Sequence, residues 1–292
     1  MKRVLITGID SFTGIYLKNC LIDAKYDVYG TSIRNSADNI LICDIKNKQQ
    51  IKDVLSQVKP DFIIHLSGIS FAAHDKNEDF YSINTIGTTN LLEVILELNL
   101  PVQKIILASS ATVYGNQGIE ILDETLYPRP SNHYGMSKYA MECLAYNYFS
   151  KLPIVITRPF NYTGVGQADH FLIPKIVKHY KDRKEVIELG NLDVAREFNS
   201  VEDVCSIYKK LLESEAHSEV VNICSGKGIK LLDIINMMNQ LSGYEIKIKV
   251  NPLFIRKDEI KILTGSVTKL ETLIGYHQFK DITTVLKNMY IE

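Results

Sequence analysis

The chain has 292 residues, of which 46% are hydrophobic and 23% are charged, and its formal net charge is −1. This length suits one large or two small domains with a substantial buried core. The nearly neutral balance argues against recruitment of nucleic acid or of a membrane surface, so neither is expected as a partner.

The five cysteines are odd in number and contain no C-x-x-C pair and no zinc spacing. They are interpreted as mostly buried thiols, so no metal site is predicted and a reducing cytoplasm is the expected compartment. The opening string MKRVLITG reads as a strand before a glycine turn and not as a signal peptide. No apolar run reaches the roughly 18 residues of a transmembrane helix.

Short apolar runs alternate with helical patterns along the first half of the chain. Strands are predicted at 3–8, 27–32, 39–44, 61–68, 104–110 and 152–160, and helices at 13–24, 77–98 and 134–150. Fully apolar strands that alternate with helices indicate a parallel sheet covered on both faces. The fold class is therefore predicted as α/β, with a doubly wound parallel (Rossmann) sheet and ligands at the carboxyl ends of its strands.

The alternation weakens after about residue 160. A helix near 171–183, a strand near 185–190, a sheet strand at 220–226 and a helix at 230–242 are predicted there. We expect residues 1–160, completed by segments near 195–226, to form the dinucleotide-binding domain. Residues 161–292 are expected to form mainly a smaller, mixed α/β substrate-binding domain.

A glycine turn, T7-G-I-D-S-F-T-G14, follows the first strand and opens a helix. Its outer glycines match the dinucleotide-binding fingerprint, but a serine replaces the middle glycine. The start of the helix offers unpaired N–H groups to a phosphate. The residues predicted to bind the cofactor here are Gly8, Ser11, Phe12, Thr13 and Gly14.

The end of the second strand carries no acidic residue over 30–36 that could bind the 2′-hydroxyl of an NAD ribose. Arg34 and the hydroxyl of Ser32 suit a 2′-phosphate instead. The sequence therefore predicts NADP(H) in preference to NAD(H).

Ser110, Tyr134 and Lys138 form the candidate catalytic set. A tyrosine and a lysine four residues apart share one face of a helix, and an ammonium beside a phenol lowers the cost of the phenolate. A hydroxyl from a nearby strand end can hold a carbonyl oxygen against that phenol. The set suits proton transfer at an oxygen while a hydride moves at its carbon, although Y-x-x-x-K alone is a common accident on helix surfaces.

Together these residues resemble the extended short-chain dehydrogenase/reductase family along nearly the whole chain. D44-I45, H65-L-S-G68 and N84-T-I-G-T88 are similar to its segments around the adenine and the nicotinamide ribose. The cofactor contacts that the resemblance adds are Asp44, Ile45, Leu66, Ser67, Gly68, Asn84, Tyr134 and Lys138. The segments 158–167 and 190–198 resemble the branch that acts on nucleotide-diphosphate sugars, especially GDP-4-keto-6-deoxymannose reductases and GDP-mannose dehydratases.

The resemblance also implies individual roles. Tyr134 would donate a proton to the substrate oxygen, Lys138 would lower the pKa of Tyr134 and bind the nicotinamide ribose, and Ser110 would hydrogen-bond the reacting oxygen. Ser109 is an alternative to Ser110 only by adjacency. The implied substrate contacts are Ser70, Ser110, Asn161, Lys175, Arg196, Arg256 and Glu259, in which the arginine forks suit a diphosphate.

The residues after Ser110 bear on the reaction. Dehydratases of the family carry one or two acidic residues at the next two positions, where this chain has Ala111 and Thr112. Neither can transfer a proton at neutral pH, which disfavours a 4,6-dehydratase. The favoured function is NADPH-dependent reduction of the C4 keto group of a nucleotide-diphosphate 4-keto-6-deoxy sugar, GDP-linked in preference to dTDP- or CDP-linked, for cell-surface polysaccharide precursors.

Two alternatives stay open. The string SATVYG resembles nucleotide-sugar 4-epimerases, which hold their nicotinamide cofactor tightly. A non-catalytic dinucleotide-sensing protein is the alternative from a different class, although an intact Ser–Tyr–Lys set argues against it.

The resemblance implies a homodimer built on two helices, near 80–98 and 134–150. Apolar residues on them are Leu91, Leu92, Ile95, Met141 and Leu144. Packing in the core explains these residues equally well.

Overall fold

The computed structural model describes residues 1–70, 76–255 and 260–292. In chain order the strands are β1 (Arg3–Thr7), β2 (Asp27–Ser32), β3 (Ile40–Ile42), β4 (Phe62–His65), β5 (Lys104–Ala108), β6 (Ile121–Leu122), β7 (Ile154–Pro159), β8 (Tyr162–Thr163), β9 (Val186–Leu189), β10 (Ala195–Arg196), β11 (Asn199–Ser200), β12 (Glu219–Ile223), β13 (Ile229–Lys230), β14 (Lys247–Val250) and β15 (Ile262–Gly265). The helices are α1 (Phe12–Asp23), α2 (Lys48–Val58), α3 (Asn77–Asp79), α4 (Thr88–Glu97), α5 (His133–Ala145), α6 (Leu172–Lys181), α7 (Val201–Glu213), α8 (Leu231–Ser242), α9 (Thr268–Ile274) and α10 (Ile282–Ile291).

Seven parallel strands form the main sheet in the order β12–β7–β5–β4–β1–β2–β3. Side chains of β1 alternate between two buried cores, with Val4 and Ile6 facing the layer of α1 and α7 and Leu5 facing the layer of α2, α4 and α5. Burial on both faces is the reason that these strands are continuously apolar. The predicted doubly wound α/β fold is confirmed.

The helix predicted over 77–98 differs from an ordinary α-helix. Between α3 and α4 the segment Phe80–Gly87 is a π-helix. Two adjacent residues of this segment, Asn84 and Thr85, both hydrogen-bond Ser137 of α5, at 3.0 and 2.8 Å. The wider π-helical turn thus contacts α5 at the residue before Lys138. Such turns are often found at functional sites.

The later part of the chain adds smaller sheets, with strand orders β13–β10–β15–β6, β11–β8 and β14–β9. A further core lies among α6, α8 and α10 and includes Ile176, Tyr180, Ile235 and Leu286. Strand β12 returns to the main sheet beside β7. The division into two domains near residue 160 stays a prediction.

Strands β1, β4, β5 and β7 end side by side at one edge of the main sheet. Loops that leave this edge converge with the segment that follows β7, so the candidate site lies here. Over the described ranges, no helix combines the length and the apolarity that crossing a membrane requires.

Candidate active site

A cleft of about 270 Å³ opens at the carboxyl edge of the main sheet. The predicted site residues that line it are Ser11, Phe12, Thr13, Leu66, Gly68, Ser70, Ser110, Tyr134, Lys138 and Asn161. The fold therefore brings the glycine turn and the Ser–Tyr–Lys set to one cavity.

Ser110 follows β5, and Tyr134 and Lys138 lie near the start of α5. The Ser110 hydroxyl accepts the N–H of Thr112 at 3.2 Å and so caps a short 3-10 helix, Ala111–Tyr114. At the start of α5, Asn132 accepts the N–H of Gly135 at 2.8 Å. Both candidate segments are thus fixed by local caps, and the exposed fractions of Ser110, Tyr134 and Lys138 are only 8%, 9% and 7%.

Burial governs the acidity of Tyr134. Desolvation raises the pKa of its phenol, and the hydrogen bond from Ser110 opposes this increase. Tyr134 is therefore a neutral phenol at neutral pH, the form that can donate a proton. The predicted lowering of its pKa by Lys138 stays a prediction.

Lys138 is held by the backbone at the end of β5, because its ammonium donates to the Ala108 carbonyl at 2.8 Å. Desolvation lowers its pKa to about 8, against the opposing effect of Glu142 one turn further along α5. The ammonium therefore persists at neutral pH but titrates only slightly above it.

The two adjacent serines have different surroundings. The Ser109 hydroxyl donates to the Glu142 carboxylate at 2.5 Å, within a buried cluster behind the cleft. The Ser110 oxygen accepts the hydroxyl of Thr112 at 2.8 Å and contacts Tyr134. This geometry favours Ser110 over Ser109 as the hydroxyl that meets a substrate.

The glycine turn has the geometry of a phosphate-binding loop. Gly8 has a φ of +69°, and a Cβ on Gly14 would lie 2.5 Å from the Gly8 carbonyl oxygen, so both positions require glycine. Ser11 has an ordinary φ of −72°, and its hydroxyl caps α1 by accepting the N–H of Gly14 at 3.1 Å. The backbone thus does not require a glycine at Ser11, and Ser11 and the first residues of α1, Phe12 and Thr13, line the cleft.

A second close approach lies at the other end of the cleft. A Cβ on Gly68 would meet the Asn84 side-chain oxygen at 2.7 Å and the Lys138 ammonium at 3.3 Å. The backbone N–H of Ser67 donates a hydrogen bond to the Thr7 hydroxyl at 3.1 Å. Gly68 therefore packs against Asn84 and Lys138 with no room for a side chain.

Asn84 lies beneath the cleft wall and not in it. Its side chain is fully buried and hydrogen-bonds both backbone groups of Ile69 as well as Ser137. Asn84 therefore supports the loop after β4 from below.

The predicted adenosine end has one feature that the sequence analysis missed. Ser32 is buried, and its hydroxyl donates to the Asp10 carboxylate at 2.7 Å, while Arg34 is exposed. Asp10 belongs to the glycine turn, so a search for an acid after the second strand could not find it. Of the adenine pair, Ile45 is buried against Gly87 and Asp44 is half-buried.

Two predicted substrate residues lie outside the cleft wall. The Lys175 ammonium donates to the Glu188 carbonyl at 2.8 Å and lies 4.6 Å from the centre of the Phe254 ring. The Arg196 guanidinium donates to the carbonyls of Ala195 and Lys261 at 2.9 and 3.1 Å. Arg256 and Glu259 lie outside the described residues.

Aromatic residues of the wall were also missed. Tyr162 shares a hydrogen bond of 2.8 Å with Thr13 and stacks on Phe12 with 6.3 Å between the ring centres. Gln167, Phe171 and Tyr208 complete this side of the cleft. Tyr162 and Gln167 lie in the segment 158–167 that carried the family resemblance, but no spacing rule pointed to them.

The cleft thus combines a glycine turn typical of dinucleotide sites with a buried Ser–Tyr–Lys set. A match between this chain and a known family agrees with that combination. Residues 5–289 match the family described as GDP-mannose 4,6 dehydratase. The chain belongs to this family. The GDP-mannose 4,6-dehydratase family lies in the nucleotide-sugar branch of the extended short-chain dehydrogenases/reductases, so the predicted resemblance is confirmed and the protein is an enzyme of that branch with a nicotinamide cofactor site.

Two relatives are similar to the chain over nearly their whole length. A GDP-6-deoxy-D-talose 4-dehydrogenase from Aggregatibacter actinomycetemcomitans is 36% identical over 99% of this chain and 97% of its own. A GDP-6-deoxy-D-mannose reductase from Pseudomonas aeruginosa is 28% identical over 94% of this chain and 91% of its own.

Solved structures show the same fold. A protein from Burkholderia cenocepacia J2315, provisionally described as an epimerase, matches with a TM-score of 0.94 and 37% identity over 99% of this chain and 97% of its own. RMD from Pseudomonas aeruginosa, solved in complex with NADPH, matches with a TM-score of 0.87 and 27% identity over 100% of this chain and 97% of its own.

Proposed function

We propose that the protein reduces the C4 keto group of a GDP-linked 4-keto-6-deoxy sugar, with NADPH as the preferred hydride donor. One observation carries this proposal: the described residues of the cleft wall pair Tyr134 with Ser110 and include no Asp, Glu or His. Elimination of water from the sugar needs a general acid and a general base there, whereas reduction of a ketone needs a single proton donor.

The chain's own residues account for the proton. Ser110 hydrogen-bonds the keto oxygen, and Tyr134 donates its phenolic proton to that oxygen as negative charge develops on it. The π bond of the C4 carbonyl is replaced by a C4–H and an O–H bond, and the C4–O single bond remains. A bound NADPH would supply the hydride, with its pyrophosphate on the turn of Gly8 and Gly14.

Burial raises the pKa of Tyr134 and keeps its phenol protonated in the free protein, which is the form that donates a proton in reduction. The same group would act as the base in oxidation, so the direction of the reaction rests on the cofactor and the substrate supplied. The 4-dehydrogenase among the relatives is named for redox chemistry at the same carbon in the opposite sense.

The choice of GDP and of NADPH has separate support. Both relatives at 36% and 28% identity are named for GDP-linked 6-deoxy sugars, which favours GDP over the dTDP- or CDP-linked alternatives. Arg34 and the NADPH bound to RMD support NADPH.

A 4-epimerase is the second candidate. The segment S110-A-T-V-Y-G115 resembles epimerases, and the Burkholderia structure is provisionally described as one. An epimerase would oxidise and re-reduce the sugar at one carbon without net consumption of its cofactor.

A substrate panel distinguishes these functions. Purified protein is incubated with NADPH and with GDP-, dTDP- and CDP-linked 4-keto-6-deoxy sugars, and absorbance loss and product configuration at C4 are followed. Stoichiometric loss of NADPH with the GDP sugar supports the proposal. Conversion of a nucleotide hexose without loss of NADPH indicates an epimerase, and binding without any conversion indicates a sensing protein.

We also propose a homodimer built on the two helical segments near residues 80–97 and 133–148. Four of the apolar residues that the sequence offers for this interface, Leu91, Leu92, Ile95 and Met141, lie in the core, and the fifth, Leu144, is half-buried. Exposed apolar side chains on the same segments are Ile86, Met136 and Tyr146. A Met136→Glu variant that runs as a monomer in light scattering, beside a dimeric wild type, would support this interface; an unchanged mass would contradict it.

A further inference from the structure

The glycine turn is joined directly to the end of β2. The backbone N–H groups of Gly8 and Ile9 both donate to the Thr31 carbonyl, at 3.0 and 3.1 Å. A Cβ on Gly30 would lie 2.4 Å from the Ile9 side chain, so the turn packs tightly onto this strand. The next residue, Asp10, is therefore held beside the last residues of β2.

The Ser32 hydroxyl fixes the Asp10 carboxylate at this position. It donates to Asp10 at 2.7 Å and accepts the backbone N–H groups of Arg34 and Asn35 at 3.0 and 3.2 Å. Ser32 is only 3% exposed, whereas Asp10 and Arg34 are both exposed. The Asp10 carboxylate and the backbone of Arg34 thus both hydrogen-bond one buried hydroxyl, so the two exposed charged side chains start close together at the end of β2.

The negative charge of Asp10 and the positive charge of Arg34 favour different nicotinamide cofactors. In dinucleotide-binding sheets the end of the second strand meets the adenosine ribose, where a carboxylate binds the 2′-hydroxyl of NAD and an arginine binds the 2′-phosphate of NADP. A phosphate carries a charge of about −1.5 to −2 at neutral pH and is repelled by a carboxylate. No ion pair joins Asp10 to Arg34 in the part of the chain that the structure describes, so each side chain is available to the cofactor.

We propose that Asp10 sets the cofactor specificity against Arg34. Its carboxylate accepts a hydrogen bond from the 2′-hydroxyl of NADH and repels the 2′-phosphate of NADPH, so that the protein binds both cofactors and prefers NADPH only weakly. This inference rests on the nicotinamide site and is independent of the sugar and of the direction of the reaction.

The expected effect of Asp10→Asn is selective. Removal of one partly screened charge should strengthen NADPH binding by about three- to tenfold, while NADH binding stays unchanged or weakens. The gain for NADPH should shrink at high salt, because the repulsion is screened there. Ser32→Ala, which frees the carboxylate to turn away, should give a smaller gain in the same direction.

Binding is measured without any sugar, by titration of the intrinsic fluorescence of NADPH and NADH and by calorimetry. Asp23→Asn is the matched control, because Asp23 carries the same charge and is the last residue of α1. At 1.5 Å per residue, the helix places Asp23 about 18 Å from the glycine turn. Equal changes for both cofactors, or the same change in Asp23→Asn, would overturn the role of Asp10. A wild type that binds neither cofactor would overturn the nicotinamide site itself, whereas failure of the sugar panel alone would leave this result intact.

Discussion

The Glu142 carboxylate and the Arg158 guanidinium form a buried ion pair one helical turn beyond Lys138. Arg158 donates from Nε at 3.0 Å and from Nη2 at 2.7 Å, and the two residues are 0% and 2% exposed. The same carboxylate accepts the Ser109 hydroxyl at 2.5 Å. This pair therefore joins α5, the end of β5 and β7 directly behind the candidate catalytic residues.

Glu142→Gln should destabilise the fold by about 3 kcal/mol, because loss of one charge leaves the other buried without compensation. Urea unfolding followed by circular dichroism measures this change. Glu93→Gln is the control, since Glu93 pairs with Lys48 at the exposed surface and its loss should have a far smaller effect. Equal stability of the two variants would contradict the structural role of the buried pair.

The kcat/KM for reduction should fall as the pH rises through about 8. Burial lowers the pKa of Lys138 to about 8, and kcat/KM reports the groups of the free enzyme. The Lys138 ammonium is present below this pH and is lost above it. Glu142 raises the pKa of Lys138, so Glu142→Gln should move the alkaline limb to lower pH, and an unmoved limb would assign that limb to another group.

Tyr134→Phe should lower the turnover of the keto sugar by at least about 100-fold, because the variant lacks the proton donor. NADPH binding, measured by its fluorescence, should be largely kept. Tyr127→Phe removes a hydroxyl from a tyrosine that is 84% exposed and should leave both quantities unchanged. Full turnover by Tyr134→Phe would remove this residue from the mechanism.

Arg34→Gln should weaken NADPH binding by about tenfold, the value of one charge-assisted hydrogen bond at an exposed site, and should spare NADH. Lys151→Gln removes the same charge just before β7, at the opposite edge of the sheet, and serves as the control. Equal losses for both cofactors would show that Arg34 does not contact the 2′-phosphate.

Ser11→Ala should cost about 1 kcal/mol of stability, because α1 loses its cap, whereas Ser11→Gly should cost only a few tenths. Neither change should strengthen NADPH binding, because the backbone at Ser11 already has an ordinary φ. Thermal unfolding and fluorescence titration check these two statements. A clear gain in cofactor affinity for Ser11→Gly would show that the serine side chain obstructs the pyrophosphate.

The sequence by itself determined the seven strands of the main sheet, the glycine turn and the Ser–Tyr–Lys set, but it did not show helices α2 and α7. These features follow from local rules: continuous apolar runs for buried strands, a four-residue spacing for one helix face, and glycines where backbone approaches backbone. Each of these patterns spans only a few residues, so it can be recognised in the sequence without knowledge of the fold.

The tertiary structure alone decided which distant side chains meet. The carboxylate beside Ser32 comes from Asp10, 22 positions earlier, and the partner of Arg158 is Glu142 on α5. Lys175 and Arg196 donate to backbone carbonyls, and the substrate contacts that the family pattern implies for them stay a prediction. The strand order of the sheet decides which of these residues become neighbours. The spacing of residues along the chain does not predict that order.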